Sequence, residues 1–196
     1  MRIYVLVTSY VPLRAWVYRE GFARFSGTRY STDHIEDTFV HLTNTAIQKT
    51  APDYNPDRGA KWPLVKLRRY LMSSRGAEET NAAFKRINEV FWYSLQAVQD
   101  KIINDKHCFE LYGYDILFDE ALRVWLIEVN ASPSFSCSSD DDKVMKTCVL
   151  DDTFNVIDME RKLRGDERRI GGFDFLAGKF VEFIFLAAVT FCRFLT

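Results

Sequence analysis

No cysteine pair at C-x-x-C spacing occurs in this 196-residue chain, and its three histidines, His34, His41 and His107, are scattered. Zinc-finger, thioredoxin-like and three-histidine metal centres therefore find no support. Cys108, Cys137, Cys148 and Cys192 fit a reducing, cytosolic compartment, and Met1-Arg2-Ile3-Tyr4-Val5 carries no cleavable signal pattern. An excess of one charge is also missing, since 26 Lys and Arg balance 27 Asp and Glu, and no nucleic-acid partner is expected. The absence of a G-x-x-x-x-G-K-[ST] loop argues against a P-loop nucleotide hydrolase. No Ser-His-Asp or Cys-His order stands out, and there is no internal repeat or low-complexity tract. What is present is an ordinary globular balance, 47% hydrophobic and 27% charged, enough for one domain with a substantial core.

A long hydrophobic run is nearly, but not quite, there. Phe180 to Leu195 is apolar apart from Glu182, Thr190 and Arg193, and about ten uncharged residues between the two ions fall short of the roughly 20 a membrane span needs. The expectation is a buried terminal helix or an aberrant end, with a tail anchor as the alternative and no membrane partner.

Periodicity orders the rest. Residues 3 to 9 form a β-rich run, followed by Ala15 to Tyr18 and Gly21 to Phe25, and Phe39 to Leu42 continues the β pattern. A chain opening in what reads as a central strand looks cut. Thr50 to Gly59 is a loop by its Pro, Asp, Asn and Gly content, and Trp62 to Leu71 starts a helix with Pro63 in its first turn. Phe84, Ile87, Phe91, Leu95, Val98 and Ile102 make one apolar stripe of a longer helix. Asp140 to Ile157 reads as a helix whose three leading aspartates suit the macrodipole.

Between these helices lies the segment that carries chemistry. Leu111 to Phe118 and Trp125 to Asn130 are two strands, and Asp119 to Leu122 is a hairpin connection that brings Asp115 beside Glu128. Side chains alternate along a strand, so Glu128 and Asn130 share a face at roughly 6 to 7 Å, with Trp125, Ile127 and Val129 on the other. Two carboxylates and an amide oxygen suit Mg²⁺, which takes few protein carboxylates and completes its shell with phosphates and water. An ordinary hairpin with a solvent-facing polar edge has the same spacing. The wider polar set, Arg2, Arg24, His41, Thr43, Asn44, Lys49, Lys61, Asp115, Glu128 and Asn130, mixes cations with metal ligands, as polyphosphate chemistry requires.

At these residues the chain closely resembles the tubulin tyrosine ligase-like family, and within it the polyglutamylase branch. The resemblance rests on Arg2 to Val7, Gly21 to Phe25, His41-Leu42-Thr43-Asn44, Asn104 to Glu110, Tyr112 to Asp115 and Trp125 to Ser134, and covers roughly residues 2 to 172. It implies an α+β layered fold, the C-terminal lobe of an ATP-grasp core with a mainly antiparallel sheet and packed helices. Residues 1–172 would form that lobe, the N-terminal lobe would be missing, and 173–196 would be an apolar tail.

The implied reaction uses ATP to phosphorylate a glutamate γ-carboxylate in an acidic tubulin tail, after which free L-glutamate attacks. By this resemblance Asp115, Glu128 and Asn130 match Mg²⁺ ligands, Glu128 and Arg2 are catalytic, and Thr43 with Asn44 touches ATP. Arg24, Lys61 and Lys146 match positions that hold the incoming glutamate. Each also has a plain structural reading: Lys61 and Lys146 as solvated helix residues, Thr43 and Asn44 as a turn or cap, Arg24 as a sheet brace. Tubulin or microtubules and accessory subunits are the partners implied, and the cytoskeleton with cilium and basal body the location. The departures are Met1-Arg2 where the family reads Asp-Leu-Arg, and the apolar tail. A half-site without the second lobe should bind ATP weakly, leaving a non-catalytic scaffold or competitor in a tubulin-modifying complex as the alternative for the isolated chain. Another ATP-grasp ligase acting on a small amino acid or peptide is a third reading.

Overall fold

The structure, a computed structural model, describes residues 1–51, 61–105 and 107–176. Its strands are β1 (Arg2–Tyr10), β2 (Leu13–Arg24), β3 (Lys61–Pro63), β4 (Glu110–Phe118), β5 (Val124–Asn130), β6 (Arg169–Ile170) and β7 (Phe173–Leu176). They form one antiparallel sheet ordered β5-β4-β1-β2-β7-β6, with β3 also paired to β2. Strand β1 is central because it is apolar on both faces: Ile3, Val5 and Val7 enter one core, Tyr4 and Leu6 the other.

Helices cover both faces. The first core is closed by α3 (Leu64–Arg75), through Leu64, Leu67 and Leu71, and by α4 (Ala77–Val98), through Ala83, Ile87, Phe91 and Leu95. These positions recur every three or four residues, the stripe a helix needs to lie on a sheet. Gly76, at φ 89°, ends α3 in a conformation open to glycine, and its N–H donates to the Met72 carbonyl. On the other face α5 (Asp140–Ile157) packs Val149 and Val156 against Tyr4, Leu6, Trp16, Tyr18 and Phe173. Two single-turn helices, α1 (Thr38–His41) and α2 (Thr45–Gln48), fold over a loop held by the buried Gln48 amide, which accepts from Gly27 N and donates to Phe39 O and Leu42 O. The architecture is α+β, with the boundaries of α5 as the sequence predicts.

Several local expectations are corrected. Ala15–Tyr18 and Gly21–Phe25 belong to one strand, whose pairing with β1 jumps from Val5↔Val17 to Ile3↔Gly21 and leaves two extra residues on β2 as a bulge. Phe39–Leu42 is not a strand, because the Asp37 carboxylate accepts from Phe39 N and caps the turn of α1. Lys61–Pro63 pairs with β2 before α3 begins, so the helix starts at Leu64 rather than Trp62. The α4 stripe stops at Leu95, since Val98 is exposed and Ile102 lies beyond the helix. The sheet continues through β7, burying Phe173 and Leu176. Most of the Thr50–Gly59 loop and the whole of Phe180 to Leu195 lie outside the described residues. No helix among the described residues is long and apolar enough to cross a membrane.

The Phe91 ring, 0% exposed, meets Tyr114 at 4.6 Å between centroids, whereas Phe154 is 57% exposed. Phe91→Ala should cost about 3–5 kcal/mol, and Phe154→Ala less than about 0.5 kcal/mol, read by urea unfolding. Equal costs would contradict this account of the core.

Candidate functional site

One register row builds the site. Phe22 on β2 pairs with Arg2 on β1, Arg2 with Asp115 on β4, and Asp115 with Glu128 on β5. Directly paired residues share a face, so four side chains from four strands stand in line across about 14 Å of sheet at roughly 4.8 Å per strand. The neighbouring pairs add Tyr4 and Asn130, each opposite Gly113, and Lys61 opposite Arg24. It is the α5 face of the sheet, the one that carries Tyr4 and Leu6.

At the centre, Arg2 forks onto Asp115, Nε to Oδ1 at 2.5 Å and Nη2 to Oδ2 at 2.9 Å. Burial would raise the Asp115 pKa, but the Arg2 hydrogen bonds and charge outweigh it and hold the carboxyl below its ordinary value. The same bond raises the pKa of Arg2 against its burial. Gly113 makes this geometry possible: a Cβ there would stand 2.8 Å from Pro133 Cβ and 3.0 Å from Arg2 Cδ. Asn130 Nδ2 donates to Glu128 Oε1 at 3.0 Å and to Gly113 O at 3.1 Å, which turns the amide oxygen the opposite way.

Asp115 and Glu128 present two carboxylates from adjacent strands, and Asn130 would complete a hard-donor set fit for Mg²⁺ with its amide turned over, oxygen toward Glu128. Arg2 uses one lone pair on each Asp115 oxygen, and a carboxylate offers about four. Among the described residues no group of three or more His, Cys, Asp and Glu side chains forms a metal cluster. Tyr4 adds a buried hydroxyl with no hydrogen-bond partner among the described residues, and burial pushes its pKa up to about 12.

At the β2 end three cations surround one aromatic ring. Lys61 Nζ lies 3.7 Å from the Phe22 centroid, the Arg24 guanidinium carbon 5.2 Å and Lys146 Nζ 5.9 Å. Neither lysine is a solvated helix residue: Lys61 is on β3, and Lys146 is 5% exposed on the inner face of α5. Thr43 and Asn44 stand elsewhere, exposed on the connection between α1 and α2, and the Asn44 carbonyl accepts from Ile47 N and Gln48 N to open α2. His41 and Lys49 are on the same segment, with His41 Nε2 3.1 Å from His34 O.

One expectation about β5 fails. A bulge between the Asp115↔Glu128 and Ile116↔Leu126 pairs shifts the alternation, so Trp125 pairs with Leu117 and shares the face of Asp115 instead of opposing it. Both side chains are half exposed there, Trp125 at 52% and Leu117 at 54%.

Comparison with known proteins adds the decisive observation: the profile of the Tubulin-tyrosine ligase family matches residues 1–165. The chain belongs to this family. "Probable tubulin polyglutamylase TTLL9" of Bos taurus is 57% identical over 176 residues, covering 90% of this chain and 38% of that protein. "Probable tubulin polyglutamylase ttll-9" of Caenorhabditis elegans is 56% identical over 176 residues, 90% of this chain and 42% of that protein. "Probable alpha-tubulin polyglutamylase Ttll1" of Tetrahymena thermophila is 46% identical over 159 residues, 80% of this chain and 38% of that protein. The chain thus spans about two fifths of the length of these tubulin-tyrosine ligase family members.

Sequence reasoning passed over Asp142, which it took as one of three macrodipole aspartates. In this tubulin-tyrosine ligase family chain Asp142 is 5% exposed and lies 2.6 Å from Lys61 Nζ and 3.2 Å from Lys146 Nζ. The i,i+4 spacing to Lys146 was the available signal. Burial would raise its pKa, but bonds from Lys61, Ser138 N and Lys146 bring it down to about 2. Because the folded value lies below the unfolded one of about 3.9, the linked stability is fully present above pH 4 and is lost as pH falls through about 2. Asp142→Asn should flatten the fall of stability between pH 4 and pH 2 in urea titrations. An unchanged acid slope would contradict this assignment.

Proposed function

We propose that the chain carries the catalytic face of an ATP-dependent tubulin polyglutamylase, built on the C-terminal lobe of an ATP-grasp fold. The single observation behind this reading is the row Phe22–Arg2–Asp115–Glu128, which carries two carboxylates at one end, three cations around Phe22 at the other, and an arginine between them. The names of the relatives support tubulin as the substrate.

Asp115, Glu128 and Asn130 would hold Mg²⁺, whose charge supplies the stabilisation of phosphate oxygens that phosphoryl transfer needs. Arg2, fixed by its fork to Asp115, would face the transferred phosphoryl group and the acceptor carboxylate and offer positive charge without reorganisation. Arg24, Lys61 and Lys146 hold the two carboxylates of free L-glutamate, Arg24 by a planar fork and the lysines as point charges. Thr43 and Asn44 contribute to the ATP site from the α1–α2 connection.

A γ-carboxylate oxygen of a tubulin-tail glutamate takes the terminal phosphoryl group of ATP, and ADP leaves. The neutral amino group of glutamate then attacks the acyl carbon, phosphate departs, a proton is released and an isopeptide bond forms. The location that follows is the cytoskeleton, with cilium and basal body as the finer assignment. Accessory subunits of a polyglutamylase complex are the further partners in this reading.

Two measurements test it. In the full-length protein, Glu128→Gln keeps shape and removes charge, so glutamylation of tubulin should fall about a hundredfold or more while the melting temperature holds; undiminished activity would sink the metal assignment. Calorimetry on the 196-residue chain alone should show ATP binding no tighter than about 1 mM, because this face supplies one side of the nucleotide site. Micromolar binding would overturn that division of labour.

A further inference from the structure

The cationic cradle contains a carboxylate, which is at first sight the wrong group for a site that takes an acidic substrate. Asp142 sits in the first turn of α5, its backbone N–H bonded to Ser139 Oγ and its Oδ2 accepting from Ser138 N at 3.0 Å and Ser138 Oγ at 3.2 Å. The carboxylate is thus fixed by backbone and cap before any lysine reaches it. Lys61 Nζ then stands 2.6 Å from Oδ1 and Lys146 Nζ 3.2 Å from Oδ2. Lys146 is held a second time by the Ser136 carbonyl, at 2.5 Å. Arg24, against the same Phe22 ring, makes no ion pair among the described residues.

We infer that Asp142 is the positioning residue of the candidate glutamate site, fixing both ammonium groups and setting the charge of the cradle. This rests on the glutamate ligase reading above. Two lysines brought to one ring would repel each other and swing on flexible stems; a shared, immobile carboxylate keeps them in place at little entropic cost on binding. It also sets the electrostatic match. Arg24, Lys61 and Lys146 against Asp142 leave two net positive charges, the complement of glutamate with its amino group neutral and ready to attack. Asp140 and Asp141 begin the same helix but are exposed, so the helix dipole alone does not account for the burial of Asp142.

The test compares Asp142→Asn, Asp142→Glu and Asp141→Asn in the full-length protein with tubulin, ATP and labelled glutamate. Asp142→Asn should raise the KM for glutamate at least tenfold with kcat within about threefold and the KM for ATP unchanged. Asp142→Glu should recover part of that loss, and Asp141→Asn should behave as wild type. A wild-type KM for Asp142→Asn, or an equal effect from Asp141→Asn, would overturn the inference. A second readout needs no catalysis: in the 196-residue chain, mass spectrometry after brief acetic anhydride treatment should show Lys61 and Lys146 labelled several-fold faster in Asp142→Asn than in wild type, with Lys143 unchanged. Equal labelling, or Asp142 variants that do not fold at all, would make Asp142 a stability residue only. Wild-type protein that incorporates no glutamate would instead overturn the ligase reading, while the labelling result would still report the hold on the lysines.

Discussion

The fork between Arg2 and Asp115 is the interaction on which the site depends. It joins the central strand to its neighbour through a side-chain pair lying over a backbone pair, so strand register and site geometry are the same fact. Slipping β1 against β4 by one residue would send Arg2 into the α3–α4 core and bring Ile3 to the polar face. The apolar alternation of Ile3, Tyr4, Val5, Leu6 and Val7 prevents the slip, because each face already has a helix packed on it. The hydrophobic cores thus position a charged pair that contributes little net stability by itself, since the desolvation of both groups offsets much of their attraction.

Around that fork, charge is separated along the sheet. Carboxylates gather on the β4–β5 side and cations on the β2–β3 side, with Arg2 where the two meet. Each end is prepared by groups that touch no substrate in the proposed reaction: Gly113 clears space for Arg2 and Pro133, and Asp142 ties down two lysines. The segment after β5 serves both ends. Pro133 closes over Gly113, Phe135 stacks on Tyr4 at 5.8 Å, and the Ser136 carbonyl and Ser138 N–H meet Lys146 and Asp142. Residues 131–139 are therefore the strap that couples the carboxylate end of the row to the cationic end.

Much of this was legible in the sequence where periodicity was long. The α4 stripe and the β4–β5 hairpin follow from repeats of three to four residues or two, the bounds of α5 from a helical segment opened by three aspartates, and the pairing of Asp115 with Glu128 from the hairpin. What was not legible is non-local or depends on single residues. The two-residue bulge in β2 and the bulge that turns Trp125 are register shifts within pairs of consecutive strands, which alternation of residue type does not reveal. Phe39–Leu42, three apolar residues and a histidine, was decided by one cap from Asp37. Asp142 hid among three aspartates, because only the fold shows that α5 buries this one and leaves Asp140 and Asp141 outside.

The central claim is that Asp115, Glu128 and Asn130 form the divalent-cation end of this face, and a paramagnetic ion reads it directly. Titrating Mn²⁺ into the isotope-labelled 196-residue chain and following NMR line broadening should first extinguish the Asn130 side-chain amide and the backbone amides of Asp115 and of residues 128–130, with Mg²⁺ competing the effect away. Broadening centred instead on Asp140 and Asp141 at the start of α5, with the β4–β5 signals intact, would contradict the account.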